Sequence, residues 1–356
     1  MHKKFLIKHV GNMGDMLFFV PPVLATLKRR YPGCHITFVT AWGYKDARGR
    51  WGQRNQSGFC IALMMTSPHI DQLVHWHATA LSLSGGICTE EGHSFPTWNQ
   101  AYWDQQKRSG NYDEVYELDF GIGITDNPIT RMYEAIGLPD ENYTNYQIHL
   151  TDHDREVAQD VSSAWPTPRI VLLEGLEGKT TRGWDPAKLP ELETLIRETY
   201  GVAPKWFGGK FVHEWQGRPL NLRENIATLL FCDVAIGVMS GPLHFAAAVG
   251  LPTITLFCDQ PLHRAAPAYF LNTYITEPNK RHRTLMGPDT DPYLFLKNDA
   301  PALNLTPAEA AAQGGKNWQE PGRQSTKTCL AVITPEEVMA VLSDTLSQRV
   351  GVARVT

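Results

Sequence analysis

Apolar residues in this chain fall into two kinds of run. Short apolar-rich runs at Lys4–Val10, Ile36–Val39, Arg169–Leu173, Val234–Val238 and Thr253–Phe257 predict strands, and the wholly apolar run at Val234–Val238 reads as one buried on both faces, the mark of a parallel sheet. Ile70–Val74, Tyr112–Leu118 and Pro204–Phe207 predict further, shorter strands. Helical spacing predicts helices over Leu17–Arg30, Ile129–Leu138, Asp154–Ser163, Leu189–Tyr200, Leu222–Phe231 and Leu243–Val249. In the first of these, Leu17, Val20, Leu24 and Leu27 share a face, and Pro21 and Pro22 confine its regular part to the later residues. Thr334-Pro335-Glu336-Glu337 is a capping box that opens a last helix reaching about Leu346. Residues 41–110 and 259–328 show no clear period beyond Ile70–Val74.

The turns between these runs carry the candidate chemistry. After the strand Val234–Val238, Ser240-Gly241-Pro242 reverses the chain into a short helix. Gly250 and Pro252 then stop that helix before the next strand. Such a turn aims the positive end of a helix at the carboxyl edge of a sheet, which suits a phosphate. The simpler alternative is that Ser240 only caps the helix. The first strand runs into Gly11-Asn12-Met13-Gly14-Asp15, a Gly-x-x-Gly spacing that lacks the dinucleotide fingerprint. Gly178-Lys179-Thr180 is not a P-loop, because Gly175 stands two residues too close. Asp152-His153-Asp154 and Asp289-Thr290-Asp291 have the form of metal-binding Asp-x-Asp pairs. Neither follows a buried strand, so both read as turns. Lys280-Arg281-His282-Arg283 reads as a solvated basic face.

Composition adds bounds. The chain's 356 residues suffice for about two domains. A net charge of −4 argues against a protein that coats nucleic acid. Six cysteines at scattered positions form no Cys-x-x-Cys pair, so buried reduced thiols are expected rather than zinc or a disulfide framework. No signal-peptide core and no membrane-length apolar run are present, so a cytoplasmic protein is expected, with peripheral contact with the inner membrane face allowed. Pro166 and Pro168 mark a linker. Each half contains a strand, a Gly-rich turn and a helix, which predicts an α/β protein of two Rossmann-like domains facing across a cleft.

KFLIKHVGNMGDMLFFVPPVLATLKRRYPGCHITFV resembles the start of the family 9 glycosyltransferases, the bacterial heptosyltransferase-like enzymes. LRENIATLLFCDVAIGVMSGPLHFAAAVGLPTITLF resembles their donor-binding segment, and IVLLEGLEGKTTRGW and ITPEEVMAVL fit the same family in the same order. The resemblance implies a GT-B fold whose final helix crosses back to the first domain. The expected division is then 1–165 with 334–356 on the acceptor side, and 166–333 on the donor side. It also implies inverting, metal-free transfer of a sugar from a nucleotide diphosphate donor to a glycan or glycolipid hydroxyl, in lipopolysaccharide or other cell-surface glycan synthesis, with no cofactor. Met239 stands where the family has Asp or Asn. Only about ten residues separate Gly209 from Asn221, where a helix with a nucleobase contact is usual, and residues 261–328 are longer than in the family.

Asp15 matches the family's catalytic aspartate. A positioned carboxylate can take the proton of a sugar hydroxyl as it attacks. Its competing role is to cap the helix that follows. Gly11, Asn12, Met13 and Gly14 form the acceptor-side loop around it. On the donor side, Ser240, Gly241 and His244 can hold the diphosphate, with Lys179, Thr180, Thr181 and Arg182 from the loop after Leu173. Arg182 aligns with the family's basic residue before Trp. Asn221 and Met239 complete the expected donor contacts. Two other classes fit the same pattern: a GT-B epimerase or hydrolase, which would turn over donor with no acceptor present, and a non-catalytic nucleotide-sugar binder.

Overall fold

Two parallel five-stranded sheets, each flanked by helices, organise the chain. The computed structural model describes residues 2–9, 20–41, 63–76, 87–88, 94–118, 128–138, 148–176, 184–208, 211, 213–238, 240–257, 282–286 and 333–347. The chain divides into two units, Met1–Ile124 with Pro128–Thr151, and Thr125–Asn127 with Asp152–Thr356.

In the first unit the described elements run β1 (Lys4–His9), α1 (Val20–Arg30), β2 (His35–Ala41), β3 (Gln72–Trp76), β4 (Ile87–Cys88), β5 (Ser94–Phe95), β6 (Thr97–Trp98), α2 (Gln100–Arg108), β7 (Glu114–Glu117) and α3 (Pro128–Ala135). The sheet order is β6-β3-β2-β1-β7, all parallel. The continuous apolar run Phe5–Ile7 is wholly buried in β1, as a central strand requires. Pro21 and Pro22 lie within the first turn of α1, where a missing N–H leaves no bond unmade. α2, which shows no helical period in sequence, is held by one large side chain. Trp103 is completely buried against Leu6, Val39, Val74, Trp76 and Trp98, and its indole N–H donates to Glu117 Oε1 at 2.9 Å.

The second unit runs α4 (Asp152–Ser163), β8 (Ile170–Leu173), α5 (Leu189–Tyr200), β9 (Lys205–Phe207), β10 (Glu214–Trp215), β11 (Arg218–Pro219), α6 (Leu222–Thr228), β12 (Val234–Val238), α7 (Gly241–Ala248), β13 (Thr253–Phe257), β14 (His282–Met286) and α8 (Pro335–Ser347). Its sheet order is β14-β13-β12-β8-β9, again all parallel. The basic stretch expected as a solvated face thus enters the sheet as edge strand β14 from His282 onward, while Lys280 and Arg281 lie outside the described residues.

One expectation is corrected here. Asp152-His153-Asp154 is not a turn: it opens α4, and Asp154 is buried in an ion pair with Arg223 of α6 at 3.1 Å. That contact, with the buried Val157 and Ala158, packs α4 on α6. The last helix opens as the sequence expects. Its capping box forms, with Glu337 N–H donating to Thr334 Oγ1 and Thr334 N–H to Glu337 Oε2. Val338, Met339 and Leu342 then enter the second unit's core beside Trp184, Leu192 and Ile196. Trp184 Nε1 donates to Ile333 O at 3.0 Å, fixing the approach to that helix. An apolar stripe at helical spacing specifies burial, and the nearest open face of this core is where it finds it.

Candidate active site

The second sheet has its switch point between β8 and β12. From β8 the chain moves outward to β9, then returns across β8 to lay down β12. In an open parallel sheet the crevice for a ligand lies at the carboxyl ends of the two strands where this reversal occurs. Here those ends are Glu174-Gly175-Leu176 after β8 and Ser240-Gly241 after β12.

The two turns are tied together. Ser240 Oγ donates to Glu174 O at 3.2 Å, while Glu174 N–H donates to Phe207 O of β9 at 2.7 Å. Gly175 has φ +108°, and a Cβ there would stand 3.1 Å from Val238 Cγ2 and 3.4 Å from Ser240 Cβ. Only glycine lets the first turn approach the second so closely. Gly237 likewise leaves room for Leu173, whose Cδ1 would be 2.8 Å from an added Cβ, so β8 and β12 sit tightly side by side.

Because its hydroxyl is engaged by Glu174, Ser240 makes no side-chain cap of α7, although it occupies the N-cap position with extended backbone. Pro242 contributes no N–H to the first turn. The N–H groups of Gly241 and Leu243 have no helical acceptor at that end, and the helix dipole adds partial positive charge there. Ser240 is therefore not the simple side-chain cap that the sequence allowed. His244 lies in the same turn and is buried.

Asn221 takes a structural place. Its Oδ1 accepts from Glu224 N–H at 2.9 Å, while Glu224 Oε2 accepts from Asn221 N–H at 2.8 Å, a reciprocal cap at the start of α6. Arg218 forks onto the same carboxylate at 2.7 and 2.6 Å. Burial pushes the Glu224 pKa up, but the Arg218 hydrogen bonds and the Asn221 N–H outweigh it and hold it below the usual carboxylate range. In the short stretch before Asn221 the chain builds the β10–β11 hairpin. Gln216 and Gly217, both at positive φ, make its turn.

The structure thus brings Ser240, Gly241 and His244 to the switch point and gives Asn221 to a helix cap. Asp15, Gly11, Asn12, Met13, Gly14, Lys179, Thr180, Thr181, Arg182 and Met239 lie outside the described residues, as do Asp289–Asp291.

Residues 218–285, which contain α6, β12, the Ser240-Gly241 turn and β13, match glycosyltransferase family 9 (heptosyltransferase). That segment of the chain is similar to the family 9 glycosyltransferases. Solved structures agree at the level of fold. A family 9 glycosyl transferase from Veillonella parvula superposes with a TM-score of 0.57 at 14% identity, covering 98% of each chain. The ADP-heptose lipopolysaccharide heptosyltransferase II of E. coli gives 0.50 at 14% identity, over 98% of this chain and 100% of that one. The iron-containing dodecameric glycosyltransferase TibC from enterotoxigenic E. coli gives 0.53 at 13% identity, over 99% and 80%. TibC has also been solved with ADP-D-beta-D-heptose, a structure that superposes at 0.52 with 11% identity over 98% and 77%. No curated protein matches the sequence. The chain therefore carries the GT-B fold, with two α/β units in succession along the sequence. Among its described residues no helix is long and apolar enough to cross a membrane.

Proposed function

We propose that this chain transfers a sugar, with inversion and without a metal ion, from a nucleoside diphosphate sugar to a hydroxyl of a glycan or glycolipid. The observation that carries the reading is the uncapped start of α7 at the switch point, inside the segment that matches family 9. A leaving diphosphate develops negative charge as the glycosidic bond breaks, and donors already oriented toward it lower the barrier. The Gly241 and Leu243 N–H groups and His244 would hold it from α7. Lys179, Thr180, Thr181 and above all Arg182 would close on it from the loop after β8. Met239, the residue before Ser240, would border the same diphosphate. The TibC complex supports an ADP-heptose type of donor. Asp15, which follows β1 in the sequence, would take the proton of the acceptor hydroxyl as it attacks the anomeric carbon.

Helix dipole, oriented N–H groups and cations would supply the stabilisation that a divalent ion supplies in other transferases. Transfer is therefore expected to continue undiminished in EDTA, measured as acceptor-dependent release of the nucleoside diphosphate. Activity that disappears on chelation and returns with magnesium, manganese or iron would contradict this mechanism. TibC, described as iron-containing, makes that control informative.

A further inference from the structure

Two histidines close the end of the first unit. Residues 148–151 are its last stretch before the chain passes into the second unit at Asp152. They form neither helix nor strand, and they are held to the turn that leads into β3. The Thr66 hydroxyl donates to His149 O at 2.7 Å. Beside that bond the His69 and His149 rings meet edge to face, with centroids 5.4 Å apart and 78° between planes. Both rings are half-buried. The turn that carries His69 is fixed by its own main chain. Ser67 N–H donates to Met64 O at 3.1 Å, His69 N–H to Ser67 Oγ at 3.3 Å and Asp71 N–H to Ile36 O at 3.0 Å. The ring pair is thus a side-chain contact between a fixed turn and a segment without regular structure.

Edge-to-face packing suits two neutral rings, and two imidazolium ions at the same distance repel each other. Burial holds the pKa of both histidines below the usual imidazole value, and for His69 the charges of His149 and of Lys28 act in the same direction. Lys28 lies on α1 and is paired with Asp71 at 2.6 Å, so the one carboxylate of the His69 turn is already committed. We propose that the His69–His149 pair is a proton-operated clasp, closed while both rings are neutral and opened when they take up protons, which releases residues 148–151 from the turn before β3. The direction follows from linkage. Rings freed from each other bind protons at the ordinary imidazole value of about 6.5, and clasped rings bind them only at lower pH. Opening is therefore independent of pH above about 7 and becomes easier as the pH falls through about 6.5. The clasp sets an acid-sensitive joint where the first unit ends.

The test is amide hydrogen exchange on the full chain, read by mass spectrometry from about pH 4 to about pH 8 and corrected for the intrinsic pH dependence of exchange. Peptides spanning residues 63–71 and 148–151 should show an opening constant that is flat above about pH 7 and about tenfold larger by about pH 5.5. Peptides from β12 and β13, in the second unit, should not change over that interval. The double variant His69→Phe with His149→Phe keeps an edge-to-face ring pair but has no nitrogen to titrate, and its opening should stay flat down to about pH 5. A folded double variant whose opening rises as steeply as that of the unchanged protein overturns the proposal. The unchanged protein decides the matter even without the variant. An opening constant that does not rise, or that rises only below about pH 4.5 where carboxylates titrate, overturns the clasp as well.

Discussion

Asp15→Asn is expected to lower sugar transfer by roughly 10²–10⁴, the usual contribution of a positioned general base, with donor affinity and melting temperature unchanged. The substitution keeps the size of the side chain and its ability to cap a helix, so a purely structural Asp15 would tolerate it. It removes only the capacity to accept a proton. Donor affinity should hold because every proposed donor contact lies in the second unit, whereas Asp15 belongs to the first. The measurement is a transfer rate beside a donor titration and a melting curve on the same preparation. A folded, donor-binding Asp15→Asn protein with near-normal transfer would end the assignment of Asp15 as the base.

The largest stability effect should come from Asp154→Ala. Asp154 and Arg223 are almost fully buried, with side-chain exposures of 1% and 7%, and meet at 3.1 Å between α4 and α6. Removing the carboxylate leaves a guanidinium in the interior with its charge uncompensated, which costs about 3–5 kcal/mol. The double variant Asp154→Leu with Arg223→Met should recover most of that loss, since it removes both charges and fills the space. Urea unfolding followed by tryptophan fluorescence gives both numbers. A single-variant loss below about 1 kcal/mol would mean that water reaches the pair and that α4 is held to the second unit by its apolar face alone.

Much of what positions the anion turn could be read in the sequence, because it is written in local terms. β12, α7 and β13 are an apolar run, a Ser-Gly-Pro turn, a short helix closed by Gly250, and a second apolar run. Each signal is contained within a few residues. α2 was illegible because its polar surface hides one buried side chain, Trp103, whose partners come from distant strands. The β10–β11 hairpin has strands two residues long, below the length at which alternation can be seen. The Asp154–Arg223 pair joins residues 69 apart in sequence, and no local pattern specifies that register. The start of α8 was clear, because its capping box lies within four residues. The same limit applies to Ser240. Its place before a helix was evident, but the diversion of its hydroxyl to Glu174 O depends on the close approach allowed by Gly175.

The central claim is that this chain holds a nucleoside diphosphate sugar at the carboxyl ends of β8 and β12. Its most direct test is a thermal-shift titration with ADP-, GDP-, UDP- and dTDP-sugars. A donor supplied at about 100 times its dissociation constant should stabilise the fold by about 2.7 kcal/mol, giving a clear, concentration-dependent rise in melting temperature with at least one of the four. A melting temperature that stays fixed at millimolar concentrations of all four would contradict the account.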